Sequence, residues 1–103
     1  MNINQYQRLA WEYALPSAKT TFYLLPGFVA EVGELCALIA KAIRDDHDID
    51  LEALKKELGD VLWFVAVLAW YYDFDLSDVA IANIEKLASR AERGTIGGSG
   101  DER

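Results

Sequence analysis

Four carboxylates at a spacing of three constrain this chain more than any other feature. Glu31 and Glu34 stand three apart in A-E-V-G-E-L, and Glu57 and Asp60 stand three apart in K-E-L-G-D-V. Both pairs sit in otherwise apolar stretches, among Phe28, Val32, Leu35, Ile39, Leu58, Val61 and Leu62. On an α-helix a step of three brings the second side chain round beside the first, so each pair presents two acids on one face. Four acids in such surroundings repel one another and resist desolvation. Exposed helix acids commonly pair with Lys or Arg four residues on, but those positions here are Leu35, Leu38, Val61 and Phe64. A hard divalent cation bound through oxygens, Mg²⁺ with Mn²⁺ as a substitute, removes both problems at once.

The rest of the chain reads as all-α, with four main helices. Ile3, Tyr6, Leu9 or Ala10, and Tyr13 recur at helical spacing, predicting a first helix over 2–14 with Asn2 or Asn4 as its cap. Pro16 ends or bends it. The run T-T-F-Y-L-L would suit a strand, but no second such run exists to pair with it, so 20–26 reads as a connector or helical turn. Pro26 suits the first turn of a second helix reaching about Arg44. Asp50 caps a third, Leu51 to about Tyr72, which from Val61 onward is apolar on every side. Asp75 or Ser77 caps a fourth helix reaching Arg93, and Gly94 stops it. Gly33 and Gly59, each between the acids of its pair, lower helix propensity by about 1 kcal/mol against Ala. Close approach of another helix or of substrate to the bare backbone would explain them.

The fourth helix carries a complementary charge pattern. Asn83, Lys86, Arg90 and Arg93 fall at offsets 0, 3, 7 and 10 and make one polar, basic stripe. Lys86 and Arg90 are candidates for phosphate contacts, Arg90 with a planar fork and Lys86 as a point charge. Asn83 can orient a water or a phosphate oxygen, and Lys41, two turns beyond Glu34, can add a cation. Phe64, one turn from Asp60 on the same face, can touch whatever the acids hold. Trp11 and Trp63 are alternatives, and all three also read as core. The loop Asp45-Asp46-His47-Asp48 lacks helical ligand spacing and reads as solvated.

Composition narrows the function classes. A net charge of −7 argues against nucleic acid, which needs a basic footprint. The longest uncharged apolar run, 61–72, is twelve residues, too short for a membrane span. With one cysteine, Cys36, and no basic leader followed by an apolar core, a reducing cytoplasm is expected. A chain of 103 residues that is 52% hydrophobic has apolar surface to spare, which predicts a homodimer or a dimer of dimers. Residues 1–93 form the expected helical domain, and 94–103, with four glycines and a serine, a flexible tail.

The ordered set Glu31-x-x-Glu34, twenty-two residues, then Glu57-x-x-Asp60 resembles the metal-binding signature of the MazG-like, all-α nucleoside triphosphate pyrophosphohydrolases. Tyr6-Gln7, Asn83-x-x-Lys86-Leu87-x-x-Arg90 and the tail from Arg93-Gly94 through Gly98-Ser99-Gly100-Asp101 extend the likeness over nearly the whole chain. The resemblance implies Mg²⁺-dependent hydrolysis of a nucleoside triphosphate, with attack at the α-phosphorus, to the monophosphate and pyrophosphate. Glu31, Glu34, Glu57 and Asp60 would hold metal, and Glu34 or Glu57 would take the proton of the attacking water. No Ser/His/Asp or Cys/His set and no P-loop offers another chemistry, since His47 is the only histidine. A di-iron carboxylate bundle would want Glu-x-x-His motifs, which are absent. The remaining alternative is a non-catalytic helical oligomer that binds a partner, and metal-dependent turnover separates the two.

Overall fold

A computed structural model describes all 103 residues as four α-helices without strands: α1 (Ile3–Glu12), α2 (Thr21–Arg44), α3 (Leu51–Tyr71) and α4 (Leu76–Glu92), with a short 3₁₀ turn at Pro16–Ala18. The all-α expectation holds. The central helix is α3, which receives α2 along one side and α1 along another. A small core of Ala10, Ala14, Leu24, Phe64, Ala66, Val67, Ala69 and Leu76 lies where the three meet and where α4 begins.

The first helix is closed by a capping box. Asn2 Oδ1 accepts from the Gln5 amide at 2.9 Å, and Gln5 Oε1 accepts from the Asn2 amide at 2.8 Å. This satisfies donors that the helix start leaves unpaired. Its inward polar residues then organise the far end of the chain. Gln7 is 1% exposed; its Nε2 donates to Ala66 O at 3.1 Å and Phe74 O at 2.8 Å, and its Oε1 accepts from the Leu76 amide at 2.9 Å. Asn4 Oδ1 accepts from the Ser77 amide at 2.9 Å. The start of α4 is therefore capped by side chains from α1. Asp75 occupies the capping position expected from the sequence, yet makes no side-chain capping bond, and Ser77 lies inside the helix.

The second helix begins five residues earlier than expected and takes Pro26 into its interior. Proline there removes a donor and crowds the carbonyl four residues before it, that of Phe22. Tertiary anchoring outweighs this local defect. Thr20 caps the helix by accepting from the Phe22 amide at 3.3 Å, Leu24 is fully buried, and Thr21 shares a 2.7 Å hydrogen bond with Tyr72 of the helix hairpin's far end. Tyr23 stacks on Phe64 with ring centroids 6.2 Å apart.

Close backbone approach occurs at a glycine that the sequence did not single out. A Cβ on Gly27 would come within 2.5 Å of the Phe64 ring, so that α3 side chain lies directly on the bare backbone of α2. Gly33 and Gly59, where an approaching helix was one expectation, have nothing within 4 Å of such a Cβ. Their bare backbone faces open space, which leaves substrate or another chain as what could use it.

Much apolar surface stays uncovered. Only 12 of 103 residues are buried, whereas Phe22 is 92% exposed, Val29 67%, Ile43 76% and Ile84 63%. The radius of gyration of 16.5 Å exceeds the roughly 13 Å of a compact domain of this length. Helix α4 touches α1 and α3 and does not pack on α2. One helix, α2, is long and apolar enough to cross a membrane by length and composition alone, with a mean hydropathy of 1.6. The acids Glu31 and Glu34 interrupt its middle, where a charged residue costs on the order of 3 kcal/mol in a bilayer.

Candidate metal centre

Helices α2 and α3 bring three of the four acids together. One carboxylate oxygen each from Glu31, Glu57 and Asp60 lies within 4.8 Å of the other two. The local reason is the spacing itself: Glu57 and Asp60 share a face of α3, and the packing of α2 across Gly27 sets Glu31 opposite them. Glu34, one turn further along α2, is exposed and stands outside this trio.

The electrostatics of the cluster are strained without a cation. Burial and then the charges of Asp60, Glu57 and Glu34 push the Glu31 carboxyl above its usual range. Glu57 Oε2 is buried and has no hydrogen-bond partner. A buried, unpartnered carboxylate oxygen is unfavourable unless something positive meets it. No Lys or Arg does so, because the chain's ion pairs are Arg44–Asp45, Lys86–Asp101 and Arg90–Asp101. An all-oxygen, all-carboxylate donor set with one orphaned oxygen fits a hard divalent ion such as Mg²⁺ or Mn²⁺.

Tyr6 also borders the cluster. Burial, and then the negative charge of Asp60, hold its phenol proton more tightly than usual. In the sequence Tyr6 stands out by its helical spacing and by the Tyr6-Gln7 pair, whose second member is the core bridge described above.

The other site candidates are dispersed. Phe64 is 7% exposed, set edge-to-face against Trp63 at 5.0 Å and pressed on Gly27, so its ring is chiefly core. Trp63 donates its indole N–H to Ala10 O at 3.1 Å, and Trp11 stacks on Trp70 at 5.9 Å with Lys19 above it. Lys41 is exposed and forms no ion pair. Asn83 and Lys86 line an open cavity of about 420 Å³ with Asp78, Val79, Ala82 and the half-exposed ring of Phe74. Lys86 and Arg90 hold the acid of the C-terminal tail: Lys86 Nζ donates to Asp101 Oδ1 at 2.9 Å, and Arg90 Nη2 to the same oxygen at 3.1 Å.

The chain is thus an all-helical protein in which carboxylates from the second and third helices converge. The chain matches the MazG nucleotide pyrophosphohydrolase domain over residues 19–95, three quarters of its length, and belongs to that family. It is also 38% identical over 114 aligned positions to the Gene 37 protein of Mycobacterium phage L5, a match spanning the whole of both chains. No solved structure matches it significantly.

Proposed function

We propose that this protein hydrolyses a nucleoside triphosphate to the monophosphate and pyrophosphate in a reaction that needs Mg²⁺, with Mn²⁺ as a substitute. The observation that carries this reading is the carboxylate trio Glu31, Glu57 and Asp60 with its orphaned Glu57 oxygen, in a chain of this family. A divalent cation held by the trio would supply neutralisation of phosphate charge and activation of water. Glu34 stands beside the trio and outside it, so of the two acids that could take the water's proton, Glu34 is the one left free of ligation. Lys86 and Arg90, with Asn83 and the weaker candidate Lys41, would meet the phosphate chain. Phe74, in the same cavity as Asn83 and Lys86, gives the base an aromatic wall, a part for which Phe64 is too enclosed.

The exposed faces of α2 and α4 support assembly as a homodimer or a dimer of dimers. Phe22, Val29, Ile43, Ile81 and Ile84 are all more than half exposed in one chain, and covering them would bury apolar area at about 25 cal/mol per Å². A light-scattering mass of a single chain at micromolar concentration would refute assembly.

The activity test is a panel of canonical and modified nucleoside triphosphates with Mg²⁺, with pyrophosphate and orthophosphate measured separately. Pyrophosphate and a monophosphate in equal amounts are expected. Orthophosphate with a diphosphate would retain the metal site but reject the pyrophosphohydrolase assignment. No turnover with any substrate would leave a non-catalytic helical oligomer.

A further inference from the structure

The segment after α4 folds back on it. Gly94 turns the chain in the left-handed region, with φ +70°, and Gly98 and Gly100 repeat this at +93° and +87°. Side chains bearing a Cβ rarely adopt these angles, so the glycines make the reversal possible. Arg103 then fastens the loop from inside. Its guanidinium donates to the carbonyls of Thr95, Ile96, Gly97 and Gly100 at 2.6 to 3.2 Å. Arg93 donates to the Arg103 main-chain oxygen at 2.9 Å. The result is a closed loop that delivers Asp101 to the basic stripe.

At that stripe Asp101 meets both cations assigned above to the phosphates. Arg90 Nη2 donates to Asp101 O at 2.6 Å as well as to Oδ1, and Arg90 is left only 5% exposed. The fit is incomplete, because Arg90 Nε is buried with no acceptor. A guanidinium fork is best satisfied by two oxygens placed side by side, as on a phosphate. Asp101 itself remains 76% exposed, and an ion pair so open to water is weak. One carboxylate charge against the several charges of a triphosphate is an unequal contest. The hydrogen bonds from Lys86, with its charge, and from Arg90 hold the Asp101 carboxyl below its usual range.

We propose that the C-terminal loop is an autoinhibitory latch, in which Asp101 occupies Lys86 and Arg90 in place of phosphate and must be displaced by the triphosphate. The proposal rests on the phosphate role of Lys86 and Arg90 under the reading above. By this account the loop sets a charge threshold: a polyanion opens it, and a weakly charged ligand does not.

The test uses the full chain and inorganic triphosphate as the probe, read by calorimetry and by backbone amide relaxation of residues 97–103. In the parent, triphosphate should release the loop, lowering its amide order parameters toward those of a flexible segment, below about 0.6. Asp101→Asn, which keeps the shape and removes the charge, should bind triphosphate about two- to fivefold more tightly, the range expected for losing an exposed ion pair. The double variant Lys86→Ala with Arg90→Ala should lose binding and carry a loose loop from the outset. If Asp101→Asn binds no better than the parent, or worse, while the double variant loses binding, the latch is overturned and the phosphate assignment stands. If the double variant binds triphosphate like the parent, the phosphate assignment itself fails, and the latch with it.

Discussion

Glu57→Gln is expected to lower turnover by more than about 100-fold and to leave the metal-free fold as stable as the parent or more so. The expectation follows from what surrounds Glu57: one of its oxygens is buried without a partner, and two further acids stand within 4.8 Å. Losing a group that merely orients a ligand typically costs 10- to 100-fold, and a group that holds the ion should exceed that. The amide is nearly isosteric and uncharged, so it removes repulsion while leaving the packing alone. Asp60→Asn should behave in the same way. Glu34→Gln should divide the effects differently. A proton acceptor contributes roughly 10² to 10⁴ in rate, and because Glu34 stands outside the trio, its loss should leave stabilisation by metal largely intact. Activity assays beside thermal melts, with and without Mg²⁺, read both quantities. Full activity in Asp60→Asn would remove the site from the trio. A fall in metal-free stability that parallels the fall in activity would make these acids structural.

Much of the fold was legible because local and tertiary signals agree in it. The spacing of the four acids, the caps at Asn2 and Asp50 and the stop at Gly94 involve residues within a turn or two of one another, and the structure keeps all of them. The start of α2 was not legible, because Pro26 argues locally for a helix beginning there. What overrides it is the burial of Leu24 and the stacking of Tyr23 on Phe64, contacts made across some forty residues. The capping of α4 by Asn4 and Gln7, roughly seventy residues away, was hidden for the same reason. Within the site, the spacing put two acids on each helix but could not say how deeply each helix face turns toward the other. Glu31 is thereby drawn in and Glu34 left at the rim. The glycines of the segment from 94 onward read as a flexible tail. The contact that ties it down depends on Asp101 lying eleven residues beyond Arg90, a distance that has meaning only once the loop is closed.

Saturating divalent metal should raise the melting temperature by about 10 to 20 °C at neutral pH and reverse the direction in which stability changes with pH. A ligand that binds only the folded chain at 100 times its Kd adds about 2.7 kcal/mol, and a domain of this size shifts by about 4 to 8 °C per kcal/mol. The sign of the pH effect follows from Glu31, whose carboxyl is raised above its ordinary value of 4.5 by burial and by Asp60, Glu57 and Glu34. Below that ordinary value the group is protonated folded or unfolded, and its contribution to stability is fully present. As pH climbs through the raised folded value, the folded chain must place a charge among like charges, and stability is lost. Asp45 and Asp101 work the other way, since Arg44 for the first and Lys86 with Arg90 for the second hold them below the ordinary range. Their contributions are lost only as pH falls through those lowered values, so the falling slope between Glu31's ordinary value and its raised folded value belongs to Glu31. Metal-free protein at one fixed concentration should therefore melt lower at about pH 7 than at about pH 5. With Mg²⁺ or Mn²⁺ the order should invert, because the ion requires ionised carboxylates and its contribution grows as they lose their protons. Glu31→Gln should flatten the metal-free slope and shrink the metal-induced rise together. If the variant keeps both, the cation binds elsewhere; if it loses the slope alone, Glu31 is a strained neighbour of the centre and Glu57 with Asp60 holds the ion without it.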